Sequence, residues 1–85
     1  MNKYLEIIER SFQDKEFVAK LLHDAIPEYQ DVDVDFIAEN YVLDEEADIR
    51  CMTDKNGKIC KVVVNFNAMA PDADGYIGFT VNFVI

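Results

Sequence analysis

The feature that most constrains this chain is the dipeptide Asn56-Gly57, which lies between two segments of alternating apolar residues. Both residues tolerate positive φ angles, so the pair is typical of a two-residue β-hairpin turn. The predicted cross-strand pairs are Cys51 with Val62, Ile49 with Val64, and Ala47 with Phe66. Every pair falls on the apolar face, so the turn and the hydrophobic pattern indicate the same register.

A further strand is predicted over residues 76–85, where apolar and polar side chains alternate again. It follows a turn at residues 71–75 that contains proline, aspartates and glycine. The apolar positions are Ile77, Phe79, Val81, Phe83 and Ile85. Together with the hairpin, this strand predicts an antiparallel meander of three or four strands.

The N-terminal part predicts two short helices, because its apolar residues lie on helix faces rotated by roughly 130°. They are Leu5, Ile8 and Phe12 in the first segment and Phe17, Val18, Leu21, Leu22 and Ala25 in the second. Asp14 is a suitable N-cap, and Pro27 ends the second helix. We therefore predict helices over about 2–12 and 15–26, packed on one face of the meander as one small α+β domain.

Residues 31–43 fit two structures. Three apolar residues alternate with three aspartates: Val32, Val34 and Phe36 with Asp31, Asp33 and Asp35. That alternation predicts a half-buried strand with an acidic outer face. Residues 37–42 instead follow helical spacing, with Asp35 available as a cap. The β-branched and aromatic content favours the strand slightly.

The negative charge is concentrated in one segment. The formal net charge is −9, and residues 24–48 contain ten acids and no Lys or Arg. These acids are Asp24, Glu28, Asp31, Asp33, Asp35, Glu39, Asp44, Glu45, Glu46 and Asp48. Such a field repels nucleic acid and anionic membranes, and it attracts basic surfaces or cations. We therefore expect no direct nucleic-acid or membrane binding.

The usual signatures of catalysis and metal binding are missing. His23 is the only histidine, and Asp24 points about 100° away around the predicted helix. Cys51 and Cys60 are diagonal neighbours about 7 Å apart in the predicted register, so we expect two buried small hydrophobic residues; a longer turn would permit a disulfide. No glycine-rich phosphate loop, Gly-x-Ser-x-Gly motif or EF-hand spacing occurs. The prediction is a non-enzymatic protein with no catalytic residue, metal or cofactor.

A row of polar residues is expected on the solvent face of the last two strands. It consists of Asn65, Asn67, Tyr76, Thr80 and Asn82. Asparagine is depleted in strands, so three outward asparagines on adjacent strands are unusual. The row is either a solvent-exposed sheet face that keeps a small protein in solution, or a recognition surface with Tyr76 as its anchor.

The leading hypothesis is a small inhibitor or nucleic-acid mimic that docks its acidic segment on a basic surface of a nucleic-acid-binding protein. On a strand, alternate carboxylates stand about 6.5–7 Å apart, close to the roughly 6–7 Å between successive phosphates. In composition alone, the chain is similar to phage inhibitors of host defence nucleases, including anti-CRISPR proteins. The predicted partner-binding residues are Asp31, Asp33, Asp35, Glu39, Asp44, Glu45, Glu46, Asp48, Asn65, Asn67, Tyr76 and Asn82.

Two alternatives stay open: a homo-oligomeric accessory protein assembling through its C-terminal strand, and a weak binder of cations or small molecules. A homodimer is compatible with the small core that 85 residues can form. The N-terminal residues lack the pattern of a signal peptide, so a cytoplasmic location is expected.

Overall fold

The chain folds as helices followed by an antiparallel sheet, which confirms the predicted α+β class. The computed structural model describes residues 3–72 and 74–85. The elements in these residues are α1 (Lys3–Ser11), α2 (Lys15–Ala25), a 3-10 helix (Pro27–Tyr29), α3 (Val34–Asn40), β1 (Asp48–Thr53), β2 (Ile59–Met69) and β3 (Tyr76–Val84). The strands lie in the order β1-β2-β3, so the described part of the meander has three strands.

The break between α1 and α2 follows from a helix cap and a core aromatic ring. The Asp14 carboxylate accepts a hydrogen bond from the Glu16 backbone N–H at 3.0 Å, as an N-cap does. Phe12 is buried just before the break, with its ring centroid 5.4 Å from that of Phe17 and 5.7 Å from that of Phe66. The prediction of two short helices is confirmed, although the predicted start at residue 2 lies outside the described residues. Both helices pack against one face of the sheet.

The strand prediction for residues 31–43 is wrong, because residues 34–40 form the helix α3. Ile37 is fully buried and Ala38 nearly so, in a core that also contains residues of α2. Burial of this pair outweighs the β propensity of the neighbouring residues. The N-cap position is Asp33, not Asp35, and its side chain makes no capping hydrogen bond. The proposed strand spacing of the aspartates therefore does not exist.

The hairpin register is confirmed, although its turn differs from the prediction. Asp54 and Lys58 pair across a three-residue loop, in which Gly57 has a φ of 80°. One extra residue in β2, Cys60, forms a bulge that restores the predicted pairs Cys51–Val62 and Ile49–Val64. The Ala47–Phe66 pair lies outside the ladder because β1 begins at Asp48.

The positive φ of Gly57 leads to a testable prediction about the free energy of unfolding. Gly57→Ala should lower the free energy of unfolding by about 1–2 kcal/mol, because a β-carbon is disfavoured in the left-handed region. No atom lies within 4 Å of that β-carbon, so the cost comes from the backbone alone. Gly75→Ala is the matched control, since Gly75 has equal space and no positive φ. Urea unfolding measures both, and equal stability of the two variants would contradict the assignment of the turn.

The two faces of the sheet have different environments. Val62, Val64 and Ala68 of β2 are completely buried beneath the helices. Along β3 the side chains alternate between half-buried and exposed, as the sequence predicts. The opposite face carries Asn65, Asn67 and the exposed side chains of β3, and no described helix covers it. The polar row is therefore displayed on an open sheet face.

Candidate partner-binding surface

All ten carboxylates of residues 24–48 are exposed. Within the part of the chain that the structure describes, Asp24 pairs with His23 at 2.9 Å and Asp48 with Arg50 at 3.0 Å. The other eight have no basic side chain within 4.0 Å among those residues. Exposed pairs of this kind contribute little free energy, so nearly the whole negative charge remains available to a partner.

Three of these acids lie on a loop that protrudes from the edge of the sheet. Val42 bridges to Ala68, and the next pair of the ladder is Asp48 with Asn65. Residues 43–47 therefore span the same stretch of sheet edge as two residues of β2, and they bulge outward. We call Asp44, Glu45 and Glu46 the acidic loop. Because sheet pairing holds both ends, the loop is presented on a fixed base.

Part of the acidic loop and part of the polar row line one open cleft of about 430 Å³. Glu45, Glu46 and Asp48 line one wall. Asn65, Asn67 and Thr80 line the floor, together with Gly78. The cleft therefore joins the two groups of residues that the sequence singled out separately.

Hydrogen bonding orients the floor of this cleft. The Thr80 hydroxyl donates to the Asn65 side-chain oxygen at 2.6 Å, so the Asn65 amide hydrogens are the groups it can offer to a partner. A β-carbon at Gly78 would lie 3.3 Å from the Asn67 side-chain oxygen, so glycine leaves room for this amide to lie across β3. The floor thus presents amide groups beside carboxylates.

A second groove, of about 450 Å³, lies on the helical side of the same loop. Its apolar residues include Phe12, Val18 and Val42, and the acidic loop and Glu9 contribute carboxylates. The sequence analysis missed Glu9, because only tertiary packing brings α1 beside the loop. Glu45 and Glu46 line both grooves, so they mark the boundary between the two faces of the molecule.

The remaining predicted site residues lie elsewhere. Asp31 and Asp33 precede α3, while Asp35 and Glu39 are four residues apart on it and thus share a face. Tyr76 and Asn82 lie on the open sheet face, opposite Met69 and Val63, but they do not line the cleft. The structure therefore brings five of the twelve predicted residues together: Glu45, Glu46, Asp48, Asn65 and Asn67.

Two expectations about His23 and Cys51 are wrong. The His23 Nδ1 and Asp24 Oδ1 atoms are 2.9 Å apart, although the two side chains were expected to point apart. Cys51 is exposed rather than buried, because the hairpin extends beyond the helices. Cys60 is partly buried, and both thiols are free.

Metal and membrane features are also absent from residues 3–72 and 74–85. No group of three or more His, Cys, Asp or Glu side chains is placed to hold a metal ion there. None of the helices in these ranges has the length and apolar character needed to cross a membrane.

Comparisons of the chain with protein-family models, curated proteins and solved structures found no match. The fold and surface therefore define only a class, an acidic α+β protein with one open sheet face.

Proposed function

We propose that this chain is a non-enzymatic binding protein whose acidic segment docks on a basic surface of a nucleic-acid-binding protein, as an inhibitor or nucleic-acid mimic. The observation that carries the proposal is the exposure of all ten carboxylates, eight of them without a basic partner in the described residues. Like charges held together repel one another in the free protein, and a cationic surface relieves that repulsion. The charge thus favours association with a basic protein.

The cleft supplies the contacts that would give specificity. An arginine side chain presents five N–H donors in a planar fork, which suits the carboxylates of Glu45 and Glu46, whereas Asp48 already pairs with Arg50. The Asn65 and Asn67 amides can bind polar backbone or side-chain groups next to that arginine. Sheet pairing at Val42 and Asp48 holds both ends of the loop, which reduces the backbone entropy lost when the loop is bound. The cleft is therefore the proposed centre of the docking surface.

The acids around α3 would act mainly at longer range. Asp35 and Glu39 are separated by four residues, so their β-carbons stand about 5–6 Å apart. The two exposed carboxylates therefore form a pair of like charges on one face of α3. The helix therefore supports the mimic hypothesis with a pair of charges in place of the row expected from a strand.

The proposal predicts salt-dependent capture of a basic protein from a host lysate. The immobilised chain should retain a nucleic-acid-binding protein at about 50 mM NaCl and lose at least about 90% of it at 500 mM, because salt screens exposed charges. Duplex DNA added at low salt should displace the same protein. Quantitative mass spectrometry of the eluates measures both effects. Retention that neither salt nor DNA reduces would overturn the proposal.

A further inference from the structure

The strand β3 is an edge strand that lacks the devices by which proteins block further pairing. It is nine residues long, Tyr76–Val84, and only β2 pairs with it among the described strands. Its sequence YIGFTVNFV contains no charged residue and no proline. Natural sheet edges are usually protected by lysine, proline, bulges or a short strand. An uncharged edge of this length is a template for another strand.

The opposite edge of the sheet is protected. The strand β1 has six residues, including Asp48 and Arg50. The acidic loop precedes it, and the bulge at Cys60 interrupts its pairing with β2. The two edges of one sheet therefore differ in the features that control strand addition.

Exposed apolar side chains accompany the β3 edge. The exposed fraction is 85% for Val84 and 69% for Tyr76, which lie at the two ends of the strand. Tyr4 and Ile7 of α1 are 60% and 57% exposed, and they line an open groove with Val84 and Ile85. Several large apolar residues exposed together mark an interaction surface.

The charges that flank the two ends of β3 favour a second copy in the antiparallel direction. Beside its C-terminal end lies Lys61, opposite Val84, in a hairpin whose tip carries Lys55 and Lys58 against one acid, Asp54, so this end has a net positive charge. Beside its N-terminal end lie Asp72 and Asp74 of the preceding turn. Antiparallel pairing places the acidic end of each copy next to the basic end of the other, whereas parallel pairing would place like charges together.

We propose that two copies of this chain associate through antiparallel pairing of their β3 strands, which joins the two sheets into one of six strands. A two-fold axis at Thr80 sets Val84 of one copy opposite Tyr76 of the second. On the helical side the same register sets Ile77 opposite Phe83 and Phe79 opposite Val81. Aromatic and β-branched side chains in such pairs stabilise sheets.

This dimer leaves the proposed docking surface accessible. The acidic loop lies beside β1, at the sheet edge away from β3. The cleft opens on the face of the sheet, and Gly78 and Thr80 of β3 belong to its floor. Strand pairing uses the backbone edge of β3, whereas docking uses the acidic loop and side chains on the sheet face, so the two can be tested with different substitutions.

A pair of lysine substitutions tests the dimer. Val84 and Met52 are the two cross-strand neighbours of Lys61, and both are exposed. Val84→Lys adds a charge to the proposed interface, whereas Met52→Lys adds the same charge to the protected edge. Sedimentation velocity over a concentration series should show a dimer for the wild type and for Met52→Lys. We expect Val84→Lys to dissociate at a concentration at least tenfold higher than the wild type, with an unchanged circular dichroism spectrum.

Amide hydrogen exchange provides a second readout, independent of the substitution. In the wild type, amides of β3 should become more protected as protein concentration rises, while amides of β1 should not. A wild type that is monomeric at every concentration overturns the proposal. Equal weakening by the two substitutions, or concentration-dependent protection of β1 instead of β3, also overturns it.

Discussion

Tyr29→Ala is expected to remove a large part of the stability of this fold. Tyr29 is completely buried, and its ring centroid lies 6.1 Å from those of both Tyr41 and Phe79. Truncating a buried aromatic residue to alanine costs about 3–5 kcal/mol. The total free energy of unfolding of a domain of this size is about 4–13 kcal/mol. Urea unfolding followed by circular dichroism should show a strongly lowered midpoint or a chain that is already unfolded.

Tyr29→Phe separates the hydroxyl from the ring. The Tyr29 hydroxyl donates to the Met69 backbone carbonyl at 2.7 Å and so ties the 3-10 helix to the end of β2. Losing this hydrogen bond should cost about 1 kcal/mol. Tyr76→Phe, on the open sheet face, is the matched control and should change stability by less than about 0.5 kcal/mol. If Tyr29→Ala were no more destabilising than Tyr29→Phe, the assignment of this ring to the core would be wrong.

The Tyr29 hydroxyl also makes the free energy of unfolding depend on pH in the alkaline range. Burial, and to a smaller extent the Glu28 carboxylate and Tyr41, raise the pKa of Tyr29 above its ordinary 10.0. Above pH 10.0 the unfolded chain loses this proton before the folded chain does. The contribution of Tyr29 is therefore complete below that pH and declines as the pH rises through the folded pKa. The decline should be shallower in Tyr29→Phe than in the wild type.

Neutralising the acidic loop is the second change with a large expected effect. The variant combines three substitutions, Asp44→Asn, Glu45→Gln and Glu46→Gln. They remove three negative charges and keep the shape of the side chains. Close charge pairs across an interface contribute about 1.5 kcal/mol or more each, so affinity for the captured basic partner should fall at least about 100-fold. Surface plasmon resonance should place most of this loss in the dissociation rate, because the contacts are local.

A second triple variant controls for net charge. Asp31→Asn, Asp33→Asn and Asp35→Asn also remove three charges, but from the region around α3. Because these acids act at longer range, the control should mainly slow association and weaken affinity less than about tenfold. Equal losses in the two triples would show that net charge alone governs binding. A larger loss in the control would move the docking surface to α3.

Local chemistry was sufficient to predict most of the fold. The Asp14 cap and the Pro27 stop depend on neighbouring residues, and the bounds of α2 followed from them. The alternation in β2 and β3 likewise predicted the hairpin register and the open sheet face. The exact turn did not follow from the sequence, because the bulge at Cys60 and the longer loop compensate each other. Different turns can therefore produce the same register.

Residues 31–43 could not be settled locally, since the segment carries both periodicities. Packing of Ile37 and Ala38 in the core decided for a helix. For the candidate site, the sequence identified the acids and the asparagines as separate groups. It could not show that Glu45, Glu46 and Asp48 meet Asn65 and Asn67 in one cleft, because that depends on the pairing of β1 with β2.

The sequence by itself determined the composition of each surface: a carboxylate-rich segment, a polar sheet face and an uncharged final strand. Each depends only on residue type and on the period of two along a strand. The tertiary structure alone decided which of these surfaces are contiguous and which are apart. It did so through burial of apolar side chains in one shared core, which fixes the positions of segments distant in the chain.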